Sequence, residues 1–169
     1  MNGTCQSIAF SSDERYLWSV GDEAEIYQWD LTKRRCIKKI ADEGGFNTTK
    51  IAVSSNGLLL ATGSKMGTVN LFNISPYTQL VEDKPFKTLG HLTTAITDLQ
   101  FNKTTQMLVY CSKWKKNAVK IAHIPSYTAF QNFPDNSAPG VLKYAFCTGF
   151  SHDGRFLALG NDQGKAHLF

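Results

Sequence analysis

Apolar residues in this chain come in short runs, and the runs recur. The segments Ser7–Gly21, Lys50–Ser64, Asp98–Ser112 and Thr148–Gly160 share one grammar: an apolar strand, a polar turn, then a second strand rich in Leu and aromatics that ends on a small residue. The equivalent apolar positions Phe10, Val53, Phe101 and Phe150 are separated by 43, 48 and 49 residues. A third strand is predicted behind each pair, over 25–30, 68–73, 118–123 and 165–169. A fourth follows in the first three units, over 35–40, 86–89 and 127–133. The repeating unit is thus four strands, named a, b, c and d. Ser12-Asp13-Glu14, Ser55-Asn56-Gly57 and His152-Asp153-Gly154 favour a tight a-to-b reversal, through Asx hydrogen bonds and, where present, a glycine at positive φ.

A twisted four-stranded sheet that is apolar on both faces needs neighbours to cover it, so such a unit is stable only when stacked. The repeat length is close to the roughly 40 to 45 residues of a WD40 blade. Strand c of the first unit ends in Trp29-Asp30, the dipeptide of that repeat, and Gly90-His91 supplies its other mark. The predicted fold is all-β, a WD40 β-propeller of about four four-stranded blades. The units fall at about 6–47, 48–94, 95–143 and 144–169, and the last lacks its outer strand. In this geometry strand a lines the central channel. The d-to-a and b-to-c loops form one face, and the a-to-b and c-to-d turns form the other. An incomplete ring leaves an apolar blade face and unpaired edges at each end, so a fragment, or half of an assembly closed by another chain, is expected.

Composition adds little chemistry. With 42% apolar and 19% charged residues the chain has a globular balance, and 12% aromatics with 13 glycines and 5 prolines suit many short strands. Apolar stretches such as Leu58–Ala61 and Met107–Tyr110 fall far short of the roughly 20 residues that span a bilayer, so no membrane partner is expected. Met1–Ser7 carries no secretory pattern. Cys5, Cys36, Cys111 and Cys147 lie more than 30 residues apart, which suggests free, buried thiols in a reducing compartment.

Charge is unevenly spread. Residues 1–85 hold 9 Lys/Arg against 10 Asp/Glu, and residues 86–169 hold 9 against 4. In the b-to-c loop of the third unit, Lys113, Trp114, Lys115 and Lys116 set an exposed aromatic among three cations. That pattern suits phosphate pairing with base stacking, or an acidic partner, against the plainer reading of a solvated loop whose tryptophan packs on the next blade. Lys33, Arg34 and Arg35, with Lys38 and Lys39 behind them, form a second basic cluster at the c-to-d turn of the first unit. They are read either as a guard against edge-to-edge association or as a contact for RNA or an acidic partner. The two clusters are expected on opposite faces. Asp22, Glu23, Glu25 and the loop Asp42-Glu43-Gly44-Gly45 are read as an acidic surface rather than a catalytic pair.

His91, His123, His152 and His167 lack metal-ligand spacing, and His91 is expected to hydrogen-bond within its blade. No nucleophile elbow, zinc motif or dinucleotide fingerprint occurs, so no catalytic residue, metal or cofactor is assigned and no small-molecule substrate is expected. The residues 160–165, Gly-Asn-Asp-Gln-Gly-Lys, read as a hairpin turn.

Several stretches depart from the generic repeat: Trp29-Asp30-Leu31, Arg34-Arg35-Cys36, Asp42–Gly45, Ser112–Ser126, Phe130–Pro134 and Gly160–Ala166. Together they resemble the U3 small nucleolar RNA-associated protein 18 family along essentially the whole chain. The resemblance implies a nucleolar WD40 subunit of the small-subunit processome with an architectural role. It would join other WD40 subunits to the U3 snoRNP and the 18S rRNA precursor. The fold equally suits another interaction module, such as a substrate receptor of a ubiquitin ligase.

Overall fold

The a-to-b turns show how locally the strands are set. In a computed structural model of the protein, which describes residues 3–43, 47–75, 77–134 and 142–169, all four turns are built alike. A polar side chain at the turn's first residue accepts the N–H five residues on: Ser11 from Tyr16 at 3.0 Å, Ser54 from Leu59 at 2.9 Å, Asn102 from Met107 at 2.9 Å and Ser151 from Phe156 at 3.0 Å. The residue three along is left-handed each time, Glu14 at φ 57°, Gly57 at 72°, Thr105 at 61° and Gly154 at 72°. Glycine takes that conformation freely. A β-branched residue such as Thr105 does not, so the third turn stores strain.

Among the described residues fifteen strands follow from these and the remaining reversals, and helices are absent. The first sheet holds β1 (Cys5–Phe10), β2 (Tyr16–Gly21), β3 (Glu25–Asp30) and β4 (Arg35–Ala41). The second holds β5 (Thr48–Val53), β6 (Leu59–Ser64), β7 (Val69–Asn73) and β8 (Lys87–Leu89). The third holds β9 (Asp98–Phe101), β10 (Met107–Cys111), β11 (Val119–His123) and β12 (Thr128–Ala129). The fourth has three strands, β13 (Ala145–Phe150), β14 (Leu157–Asn161) and β15 (Ala166–Leu168). Each sheet is antiparallel with its strands in chain order. This is the WD40-like propeller with an incomplete ring that the repeat predicted.

Strand d of the third unit is shorter than the 127–133 expected. Beyond Ala129 one further ladder bond, from the Phe130 N–H to the Ile121 carbonyl at 2.9 Å, closes the pairing before the chain turns away. The strand period of two distributes the core. Trp18, Val20 and Ile26 meet Ile51, Leu60 and Phe72 between the first and second sheets. Ala61, Val69 and Leu71 meet Leu99, Leu108 and Tyr110 between the second and third. Val109, Cys111 and Val119 meet Ala145, Leu157 and Leu159 between the third and fourth. Neighbours in one strand, such as Leu108 and Val109, therefore serve different cores.

The outermost faces have no such cover. Ile8 and Phe10 on β1 are 56% and 58% exposed, and at the other end Phe156 and Leu168 are 50% and 66% exposed. The sheets pack in sequence, first on second, second on third and third on fourth. The cysteines differ from expectation: Cys111 alone is buried, while Cys5, Cys36 and Cys147 are exposed. Those three sit in strands at the rim or the uncovered ends of the arc, where the repeat supplies no neighbour. Burial pushes the Cys111 thiol up to about 12, so it stays protonated within the core.

Candidate functional site

The basic loop of the third sheet is built on a serine turn. The Ser112 N–H closes the loop on the Ala118 carbonyl at 2.8 Å, and its Oγ accepts the Trp114 N–H at 3.4 Å and the Thr94 hydroxyl at 2.7 Å. The Lys113 N–H donates to Thr97 Oγ1 at 3.2 Å, which ties the loop to the chain entering β9. At the far side of the loop, the Asn117 N–H donates to the Lys143 carbonyl at 2.8 Å. Trp114 is thereby held 64% exposed. The Lys113 Nζ sits 5.2 Å from the Trp114 ring centroid and 5.6 Å from that of Phe146, while Lys116 lies 5.9 Å from the ring of Tyr144. These cations rest on aromatic faces, and among the described residues neither they nor Lys115 form an ion pair with a carboxylate.

Lys113 and Trp114 open into a concavity of about 800 Å³ lined also by Lys50, Lys65, Gln6, Thr49 and the segment 93–97. Lys50 and Lys65 were not singled out from the sequence. The signal for Lys65 lay in the repeat register: Thr62 pairs with Ile51 as Tyr110 pairs with Leu99, so Ser64-Lys65-Met66 occupies the place of Ser112-Lys113-Trp114. Ser64 Oγ likewise accepts the Met66 N–H, at 3.2 Å, and Met66 is 62% exposed. In the first and fourth sheets the same register carries Asp22-Glu23 and Asp162-Gln163. Basic b-to-c loops thus occupy the middle of the arc, the loop of the first sheet is acidic, and that of the fourth carries Asp162 and Lys165, one charge of each sign.

The other predicted cluster has a different character. Asp30 is 8% exposed, accepts the Lys33 N–H at 2.9 Å, and lies 3.7 Å from the Lys33 ammonium. Arg34 takes a left-handed conformation at φ 50°, and Arg34 and Arg35 are exposed. Behind them Lys38 reaches Asp83 at 2.9 Å and Lys39 reaches Glu25 at 2.7 Å. The turn joining β3 to β4 lies at the opposite end of the strands from the loop joining β10 to β11, so the structure does not bring the two clusters together.

The repeat marks are structural. The Trp29 indole N–H donates to Ser19 Oγ at 2.8 Å, binding strand c to strand b. His91 Nδ1 lies 2.7 Å from the Tyr110 hydroxyl, and burial followed by the Lys120 charge holds its imidazole below the ordinary range. Gly90 has open space at its Cβ position, so its mark is not enforced by crowding.

The acidic surface needs correction at one residue. Asp42 is 4% exposed and accepts bonds from Thr48 Oγ1 at 2.8 Å and Asn70 Nδ2 at 2.7 Å, so it pins the d-to-a connection to the second sheet. Gly44 and Gly45 lie outside the described residues. Glu23 and Glu25 both accept from the Tyr27 hydroxyl, at 2.9 and 2.8 Å, and burial followed by these two carboxylates pushes that phenol up to about 12. Among the described residues no group of three or more His, Cys, Asp or Glu is placed to hold a metal ion, and no helix is long and apolar enough to cross a membrane.

No protein-family model matches the chain. Curated relatives do, along its whole length. It is 37% identical over 169 residues to the U3 small nucleolar RNA-associated protein 18 homolog of Mus musculus, and 38% identical over 169 residues to that of Arabidopsis thaliana. It is 32% identical over 180 residues to the U3 small nucleolar RNA-associated protein 18 of Saccharomyces cerevisiae, with 97% of the chain aligned. By sequence the chain belongs to this family. It spans about 30% of the length of each of these three relatives, matching their carboxy-terminal part. The likeness therefore covers the whole four-sheet arc.

Proposed function

We propose that this chain is an architectural, non-catalytic part of small-subunit ribosome biogenesis, acting in the nucleolus in U3 snoRNP-dependent processing of the 18S rRNA precursor. The observation that carries this reading is the likeness, along this chain and over about 30% of their own length, to relatives named as U3 small nucleolar RNA-associated proteins. The fold supports it physically, since stacked sheets hold loops rigidly in place and leave their tips free for partners. The partners proposed are other WD40 subunits of the small-subunit processome together with the U3 snoRNP and precursor rRNA. Among the predicted site residues, the b-to-c loop of the third sheet is the contact surface put forward; Lys33, Arg34 and Arg35 are proposed as a lesser one.

Affinity purification of the tagged chain tests this. Enrichment of U3 small nucleolar RNA and the 18S precursor is expected, with unprocessed precursor accumulating when the protein is depleted. Recovery of cullin-associated adaptors without those RNAs would replace the proposal with a ubiquitin-ligase receptor.

A further inference from the structure

The concavity between the second and third sheets has features that the proposed function does not by itself require. Lys50, Lys65 and Lys113, the exposed Trp114, Thr49 and the segment 93–97 line it together, with the Lys113 ammonium lying over the Trp114 and Phe146 rings. Among the described residues no carboxylate lines it. The threonine hydroxyls donate inward, Thr49 to the Ile96 carbonyl at 2.6 Å and Thr97 to the Cys111 carbonyl at 3.3 Å, which leaves them as fixed parts of the wall. The N–H groups of Thr93, Thr94 and Ala95 donate to nothing among the described residues, whereas those of Ile96 and Thr97 are satisfied by Ser64 and Cys111 carbonyls. Three lysines that form no ion pair among the described residues suit an anion with several acceptor oxygens, while the Thr94 nitrogen lies against Gly67.

The repeat register adds direction. Lys65-Met66 and Lys113-Trp114 are the same two loop positions in adjacent sheets, so a cation followed by an exposed large side chain is presented twice along the arc. A polymer with a regularly spaced charge and a flat apolar group per unit matches that repetition. Lys113 covers part of the Trp114 ring at 5.2 Å, and 64% of the residue is still exposed for a second flat group to stack on. We infer that this concavity binds a single-stranded RNA segment, with Lys50, Lys65 and Lys113 pairing its phosphates and Trp114 stacking a base. An acidic peptide would use the lysines and has no planar group for Trp114, which is why RNA is favoured. The inference deepens the ribosome-biogenesis reading by naming the ligand class of its contact surface.

The test uses the full chain and a fluorescently labelled single-stranded oligouridine of about 12 nucleotides, within the range one such groove accommodates. Fluorescence anisotropy should show saturable binding that weakens with salt. Trp114→Ala should reduce affinity roughly tenfold, and Trp114→Phe should restore most of it. Replacing Lys50, Lys65 and Lys113 by Gln together should lower the slope of log affinity against log salt by about 2, at roughly 0.7 per lost phosphate contact. These side chains are exposed or half-buried, and unchanged circular dichroism would show that each variant folds. Tight binding of a polyglutamate probe with the Trp114→Ala variant unaffected would overturn the inference in favour of an acidic protein, as would no RNA binding by the wild-type chain. RNA binding with the expected variant pattern, in a protein that fails to recover U3 small nucleolar RNA from cells, would support this inference and sink the ribosome-biogenesis reading alone.

Discussion

Two basic clusters of three cations each differ in what the fold gives them to touch. At the β3–β4 turn, Lys33 is engaged by the buried Asp30 and the lysines behind it find Asp83 and Glu25, while Arg34 and Arg35 are exposed and form no ion pair among the described residues. In the β10–β11 loop, Lys113 and Lys116 find only aromatic rings, and Lys115 is exposed. Ion pairs at a surface contribute little stability, but they occupy charge that a partner would otherwise meet. A cation lying on an aromatic face keeps its charge available and pre-positions a flat surface beside it. Cation count in the sequence therefore says less about binding than what each cation is given to touch.

Charge reversal is the sharpest way to break this comparison. Lys113→Glu, Lys115→Glu and Lys116→Glu together should cut pre-ribosomal association by an order of magnitude or more at near-physiological salt, measured by co-sedimentation with the precursor RNA. The same reversal of Lys33, Arg34 and Arg35 should cost several-fold less. Equal losses would remove the distinction between the clusters.

Asp30→Ala probes the built-in partner. It removes the acceptor of the Lys33 N–H and should destabilise the protein by about 1 to 3 kcal/mol in urea titrations. If stability is unchanged, Asp30 does not anchor the turn. Thr105 offers a comparison in the other direction, because it is left-handed and its buried hydroxyl has no partner. Thr105→Gly should stabilise by about 1 kcal/mol, the difference between relieved strain and the extra freedom of an unfolded glycine. A destabilised variant would show that the third turn is not strained.

The smallest effect concerns pH. The Lys39 ammonium first, and then the Tyr27 hydroxyl, hold the Glu25 carboxyl below its ordinary value of 4.5. A carboxyl lowered by folding contributes stability above its unfolded value, and that contribution disappears as pH falls through the folded one. Wild type should therefore lose slightly more stability than Glu25→Gln on acidification below about 4.5. Parallel acid profiles would show that this pair, and by extension the compensated cluster, contributes nothing measurable.

Much of the architecture was legible in the chain because its signals are local. Period-two alternation, four homologous turns and a recurring length suffice to place the strands, since each turn closes on its own side chains within five residues. Strand ends were less legible: β12 stops at Ala129 although Phe130 and Phe133 follow, because pairing depends on how the next segment leaves the sheet. Asp42 looked like surface charge in a polar loop and proved to be a buried clasp for Thr48 and Asn70. Nothing within four residues of it announces a partner 28 positions away.

The candidate site divides along the same line. Lys113, Trp114, Lys115 and Lys116 are contiguous, and composition alone marks them. Lys50 and Lys65 look like ordinary solvated lysines until adjacent sheets stack and place both in the wall of one hollow. The sequence by itself determined the repeat, its four-strand unit, the turns and its likeness to a family, all of which rest on residues near one another or on order along the chain. Only the tertiary structure decided which cations are spent on carboxylates, which face the concavity, and which apolar faces at the ends of the arc stay open. Those depend on distances between sheets, and such distances are set by side-chain volume in three separate cores rather than by any motif.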